Sequence, residues 1–296
     1  MECLQAILEP VTDPEEDSFL YYSQPLPSHS LGFLDRNASE LSVSVADRLL
    51  TIRQSPSLLT SNRKEGTTGA VVWKVTPLFA EWITSPDNIL VKYGCLGRES
   101  TVIELGAGVS GVVALSLGPS IKRYIATDQD YVIRLLKQNI AENLPNVSST
   151  NTSKTTKTKQ KSKRRAHENI ITAAPNIETL ELDWELDSIS SLPSLLNLDD
   201  ATKGLDLVIA CDCIYNEALI EPLNTTCAQI CRLRSSEEPH TPTLCLVAQQ
   251  LRSYEVFESW LKSFDALFHV WRVPDELLTE GLKGNSGFIV HLGVVR

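Results

Sequence analysis

The stretch Thr101–Gly111, TVIELGAGVSG, with IATD following at 125–128, decides how this chain is read. A β-branched run feeds a glycine-rich turn, a helical pattern follows, and a second strand pattern ends on an acid, Asp128. Glycines let a backbone approach a ligand where a Cβ would collide. A strand, a tight turn and a helix N-terminus aim backbone N–H groups at a ligand's polar edge. Asp128 stands 22 residues after Gly106, where an acid accepts hydrogen bonds from ribose hydroxyls. The pattern predicts a nucleotide-type pocket.

The spacing Gly106-x-Gly108-x-x-Gly111 also fits the dinucleotide fingerprint of dehydrogenases, and such a turn also occurs with no ligand at all. Glu104 separates the cofactors. It lies two residues before the first glycine, at the strand end. A carboxylate there suits a cationic ligand end, such as the amino group of S-adenosylmethionine, and repels a pyrophosphate. The reading favours S-adenosylmethionine over a nicotinamide dinucleotide.

Outward from this stretch, strand and helix patterns alternate. Val102–Leu105, Tyr124–Asp128, Glu178–Trp184, Leu205–Asp212 and Thr243–Gln249 read as strands. LDLVIACD (205–212) is continuously apolar, the mark of a central parallel strand. Helices are predicted from Ser110 to Leu117 and over Asp130–Asn143, Glu217–Leu233 and Tyr254–Phe264. FHVWRV (268–273) and GFIVHLGVV (287–295) read as closing strands, the last able to add antiparallel at or near an edge. Such alternation argues for one doubly wound α/β sheet. Upstream, LSVSVA (41–46) and LLTIRQS (49–55) predict a small two-stranded appendage. GAVVWKVTPLFAEWI (69–83) has Val72, Val75, Phe79, Trp82 and Ile83 at helical spacing, with Pro77 forcing a kink or a late start. Residues 1–36 read as a largely irregular segment and 37–296 as one domain.

Composition bounds the rest. The chain has 296 residues, a net charge of −10 and 42% hydrophobic residues, ordinary for a globular chain with a sizeable core. An acidic body repels nucleic acid and attracts basic partners. No run of 18 apolar residues occurs, so no membrane span is expected, and the N-terminus carries no evident signal peptide. Seven scattered cysteines, without zinc spacing, point to a reducing compartment and no metal. The cytoplasm is expected, with the nucleus as the alternative, and a monomer. Residues 146–168 interrupt the alternation with little apolar content, and KTTKTKQKSKRR (154–165) carries seven positive charges and no acid. They read as a disordered insertion, with a weak RNA contact or a nuclear signal as the functional alternatives.

Four blocks in order make the chain resemble a known family: GAVVWK (69–74), VIELGAGVSG (102–111), LDW (182–184) and ACDCIYN (210–216). It is similar, over about residues 40–295, to the seven-strand S-adenosylmethionine-dependent protein-lysine methyltransferases, and within them to the fungal ribosomal lysine methyltransferases. The resemblance implies a Rossmann-like, seven-stranded class I methyltransferase fold, and transfer of a methyl group to a lysine of a large-subunit ribosomal protein. It implies that Trp73 closes over the cofactor, that Gly106, Ala107 and Gly108 line its methionine and ribose part, and that Asp128 holds the ribose. Asp183 and Trp184 would flank the adenine and Ala210 would border the cofactor. Asp212 and Tyr215, an Asp-x-x-Tyr motif after the fourth strand, would carry the chemistry, Asp212 orienting the amine or serving as its base.

Each residue also has an ordinary structural use: Trp73 as a core tryptophan, Trp184 as interfacial packing, Asp128 and Asp212 as helix caps. Two rival functions stay open at this point. One is a nicotinamide-dependent oxidoreductase, favoured by the glycine spacing alone. The other is a non-catalytic ribosome-binding protein that has kept the fold.

Overall fold

The structure is a computed structural model, and it describes residues 2–27, 32–61, 67–148, 176–196, 198, 204–234 and 241–296. In chain order its strands are β1 (Glu9–Pro10), β2 (Glu40–Val45), β3 (Arg48–Arg53), β4 (Thr101–Leu105) and β5 (Arg123–Asp128). Then come β6 (Ile177–Glu181), β7 (Leu207–Cys211), β8 (Leu244–Gln250), β9 (Phe268–Arg272) and β10 (Phe288–Val295). The helices are α1 (Glu2–Gln5), α2 (Pro14–Tyr22), α3 (Pro56–Leu59), α4 (Val75–Thr84) and α5 (Ile89–Lys92). They continue as α6 (Val112–Leu117), α7 (Asp130–Ser148), α8 (Leu192–Leu195), α9 (Ile220–Cys231) and α10 (Tyr254–Leu267).

One sheet runs β1-β9-β10-β8-β7-β4-β5-β6. Its middle, β8-β7-β4-β5-β6, is parallel, and every residue of β7 and β8 is buried, as a strand covered on both faces requires. β10 enters antiparallel between β8 and β9, one place inside the edge of the seven-strand core. The eighth strand is β1, a two-residue edge pairing with β9.

Alternation sorts the strand side chains into two layers. Val102, Tyr124, Ile209 and Cys211 pack with α4, α6 and α7, while Ile103, Leu105, Val208 and Ala210 pack with α9 and α10. Connections from β4 lead to β5 on one side and β7 lies on the other, so the strand order reverses at β4. In open α/β sheets the ligand crevice lies outside the carboxyl ends of the strands at such a point.

The two-stranded appendage forms as expected, joined through Ala46 and Asp47 at positive φ. It is not free-standing: Asn139 and Asn143 of α7 hydrogen-bond the backbone of Arg53 and Thr51 on β3 through both donor and acceptor atoms, at 2.8–2.9 Å.

Two expectations need correction, at residues 1–36 and at the end of α7, and a third resolves into one of its two expected forms. Residues 1–36 contain real elements: Asp13 caps α2 through Glu15 and Glu16 N–H, Pro14 opens it, and α2 packs against α10. The 69–83 pattern takes the expected late start: its helix begins at Val75, so that Pro77 falls in the first turn, where its missing N–H costs nothing. Helix α7 runs on to Ser148, into the start of the expected insertion. The basic run at 154–165 lies outside the described residues.

Candidate active site

A cavity of about 450 Å³ opens at the carboxyl ends of β4, β5, β6 and β7. Trp73, Glu104, Gly106, Ala107, Gly108, Asp128, Asp183, Trp184, Asp212 and Tyr215 all line it. Ala210 does not. It is fully buried in the layer of α9 and α10, and Cys211, the next residue along β7, faces the cavity instead. Side-chain alternation along a strand decides this, and a continuously apolar run carries no phase from which to read it.

The glycine turn forms the floor. Gly106 has φ +69°, and a Cβ there would lie 2.7 Å from Cys213 Sγ and 3.2 Å from the Trp184 ring, so only glycine keeps this wall open. Asp128 ties the turn to the next strand. Its Oδ2 accepts from Gly108 N–H and its Oδ1 from Gln129 N–H, both at 2.8 Å. Burial raises its carboxyl to about 6, and these two bonds oppose the rise. Glu104 is buried behind it and accepts from the Tyr124 hydroxyl at 2.7 Å. Burial pushes Glu104 up to about 7, against the pull of that hydrogen bond.

Aromatic walls face this floor. Trp184 stands after β6, and its Nε1–H is buried with no hydrogen-bond partner among the described residues. Asp183 beside it accepts from Gln129 Nε2 at 3.1 Å and from Glu185 N–H at 2.9 Å. Trp73 is not on a helix. It bridges antiparallel to Phe33 just before α4, donates Nε1–H to Thr68 O, and rests against the Phe33 ring at 4.5 Å. At the far end Tyr215 is partly buried, which raises its hydroxyl against an opposing influence from Thr68.

Asp212 has φ +60°, a conformation non-glycine residues adopt sparingly. Its carboxylate takes a bidentate pair from Arg252 at 2.7 and 2.6 Å. That partner was not found from the sequence, since 40 residues separate it from Asp212. Cys211, Cys213 and Gln129 were missed as well. Burial raises both thiols well above their usual range, so they line the wall as neutral groups.

Together, sheet order, glycine turn and a carboxylate cradle open to a buried indole define a Rossmann-like, class I methyltransferase. Residues 52–263 match the family described as "Lysine methyltransferase". The chain belongs to that lysine methyltransferase family. It is 31% identical over 236 residues to "Ribosomal lysine N-methyltransferase 5" of Zygosaccharomyces rouxii, covering 72% of this chain and 69% of that protein. The same-named protein of Vanderwaltozyma polyspora is 29% identical, covering 84% and 87%. A Schizosaccharomyces pombe protein named "Diaminohydroxyphosphoribosylamino-pyrimidine deaminase" is 25% identical, and this chain spans about half of its length, 52%. Among solved structures, the N-methyltransferase NodS of Bradyrhizobium japonicum is a distant likeness, with a TM-score of 0.39 and 11% identity over 75% of this chain and 95% of that one.

The methyl donor is S-adenosylmethionine, and the cavity fits it. The orphaned Trp184 N–H, the open wall at Gly106 and two carboxylates with free acceptor capacity each match a part of such a ligand. Glu104 would meet its ammonium, Asp128 its ribose hydroxyls, and Trp184 its adenine.

Proposed function

We propose that this enzyme methylates a lysine of a large-subunit ribosomal protein. The observation that carries the reading is the placement of Asp212 and Tyr215 in one cavity with the cofactor cradle of Gly106, Gly108 and Asp128. Names of the yeast relatives support a ribosomal acceptor, and so does the net charge of −10, which suits a basic substrate. Neither the oxidoreductase nor the non-catalytic alternative draws comparable support from the family match.

S-adenosylmethionine, when bound, supplies a methyl group made electrophilic by a sulfonium. Lysine, with an ordinary pKa of about 10.4, has to lose a proton before its lone pair is free. Asp212 accepts a hydrogen bond from the amine and aims it along the cavity. It is not the base: three hydrogen bonds already engage its carboxylate, from Arg252 twice and from Gln250 N–H. The proton leaves to solvent before the substrate is fully seated. Tyr215 walls the reacting end from water.

Incubation with methyl-labelled S-adenosylmethionine and ribosomal proteins from a strain lacking the enzyme is expected to label lysine. Asp212→Ala is expected to abolish transfer while cofactor binding survives. Unchanged turnover would remove Asp212 from the mechanism. We also assign the 154–165 run a weak contact with ribosomal RNA. Deleting 150–165 then lowers ribosome association and leaves transfer to free ribosomal protein intact, whereas unaltered association would dismiss the contact.

A further inference from the structure

The Asp212–Arg252 pair does more than hold a loop. Asp212's side chain is only 1% exposed and Arg252's 18%. The backbone of Asp212 donates to Ala248 O at 2.7 Å, extending the β7–β8 ladder while its side chain meets the segment after β8. Arg252 Nη1 donates to Oδ1 and Nη2 to Oδ2, a parallel fork that fixes the carboxylate's plane. The guanidinium lies 4.9 Å over the Trp73 ring. Gly32, at φ +86°, passes across the same group: a Cβ there would collide with Gln250 Oε1 and stand 2.7 Å from Arg252 Nη2. Strand end, aromatic wall and strap all converge on this one ion pair.

A carboxylate offers about four lone-pair positions. Two go to Arg252 and one to Gln250 N–H, which leaves one, on Oδ2. A lone buried carboxylate beside the substrate amine would favour its charged form, and a protonated amine has no lone pair to attack with. Paired with Arg252, Asp212 presents a hydrogen-bond acceptor with its charge offset.

We propose that Arg252 is a positioning residue for methyl transfer, neutralising Asp212 so that the substrate lysine is received as free amine and aligned by the remaining Oδ2 lone pair. This rests on the reading that a lysine is the acceptor. In the step it serves, the ammonium first gives its proton to solvent. The nitrogen lone pair then forms the N–C bond as the C–S bond breaks, its electron pair passing to sulfur. Among the described residues, the titratable groups that feel the pair are Cys211 and Cys213 at the end of β7, against Asp212, and Tyr22 from α2, against Arg252; Glu104 from β4 acts on the same two thiols, Asp128 from β5 on Cys213 and Tyr215, and Glu255 from α10 on Tyr22. All of them persist in an Arg252 variant, so a difference between pH profiles belongs to Arg252.

The test is the pH dependence of kcat at saturating S-adenosylmethionine, with large-subunit ribosomal proteins from a strain lacking the enzyme as acceptor. In Arg252→Gln the acid limb is expected to move up by roughly 1–3 pH units, so that a deficit of ~tenfold or more at neutral pH closes under alkaline conditions. Arg252→Lys, which keeps the charge without the fork, moves it less and carries the test if the Gln variant does not fold. In an Asp212→Asn background the same Arg252→Gln change leaves the limb in place. A deficit that is constant across pH in an otherwise active enzyme overturns the proposal alone. A wild-type enzyme that labels no lysine at any pH overturns it together with the reading beneath it.

Discussion

Glu104 is the residue whose chemistry most directly answers to pH. Its ordinary value is 4.5 and burial carries it to about 7 in the folded chain. A carboxyl raised on folding stabilises the fold below its unfolded value, and that contribution is lost as pH climbs through the folded value. The unliganded protein is therefore expected to lose stability between pH 4.5 and about 7. Cofactor binding runs the other way, because a cationic ammonium needs the ionised carboxylate. Affinity for S-adenosylmethionine, measured by calorimetry, is expected to rise ~tenfold from pH 6 to well above 7, following the ionised fraction of Glu104. Asp128, at about 6, adds to the lower part of that rise. Glu104→Gln should bind weakly and flatten the upper part. A Gln variant with wild-type pH dependence would detach Glu104 from the ligand. Trp184 makes a simpler point at this scale: its buried indole N–H has no partner among the described residues, a costly arrangement that a ligand acceptor in the cavity would relieve.

Among the elements, α7 has the most demanding task. Asn139 is fully buried. It donates to Arg53 O and Val109 O and accepts from Arg53 N–H, so one side chain joins the β2–β3 appendage to the glycine turn. Asn139→Ala leaves those backbone groups unpaired and is expected to cost roughly 1–3 kcal/mol in urea unfolding. A change of a few tenths would mean that water replaces the link. The elements also show what could be read beforehand. β4, β5, β7, β8 and the appendage were legible because apolar runs and alternation are local signals. β1 was not, since two residues pair with β9 more than 260 positions away and carry no pattern of their own. α2 was overlooked although Asp13-Pro14-Glu15-Glu16 spells out a helix start, because its weak amphipathicity hides its packed face. In the site, Gly106, Asp128, Trp184 and Asp212 were legible from spacing and resemblance. Ala210 was placed wrongly for want of strand phase, and Arg252 was invisible because an ion pair formed by folding leaves no mark on either neighbourhood.

At the scale of the molecule, a doubly wound sheet carries its chemistry at one edge of the strands and spends the rest on support. Helices α4, α6 and α7 on one face and α9 and α10 on the other fix β4 and β7, so the cofactor floor and Asp212 keep their relative positions. The acidic surface gives a basic protein a favourable approach. Charge of this kind selects a class of partner and not a particular lysine. The central claim, methylation of a ribosomal protein on lysine, is tested most directly by mass spectrometry of ribosomal proteins from cells with and without this enzyme. The account predicts one large-subunit protein whose lysine loses its methyl mass in the deletion and regains it with wild-type protein but not with Asp212→Ala. Identical lysine methylation in the two strains would contradict it.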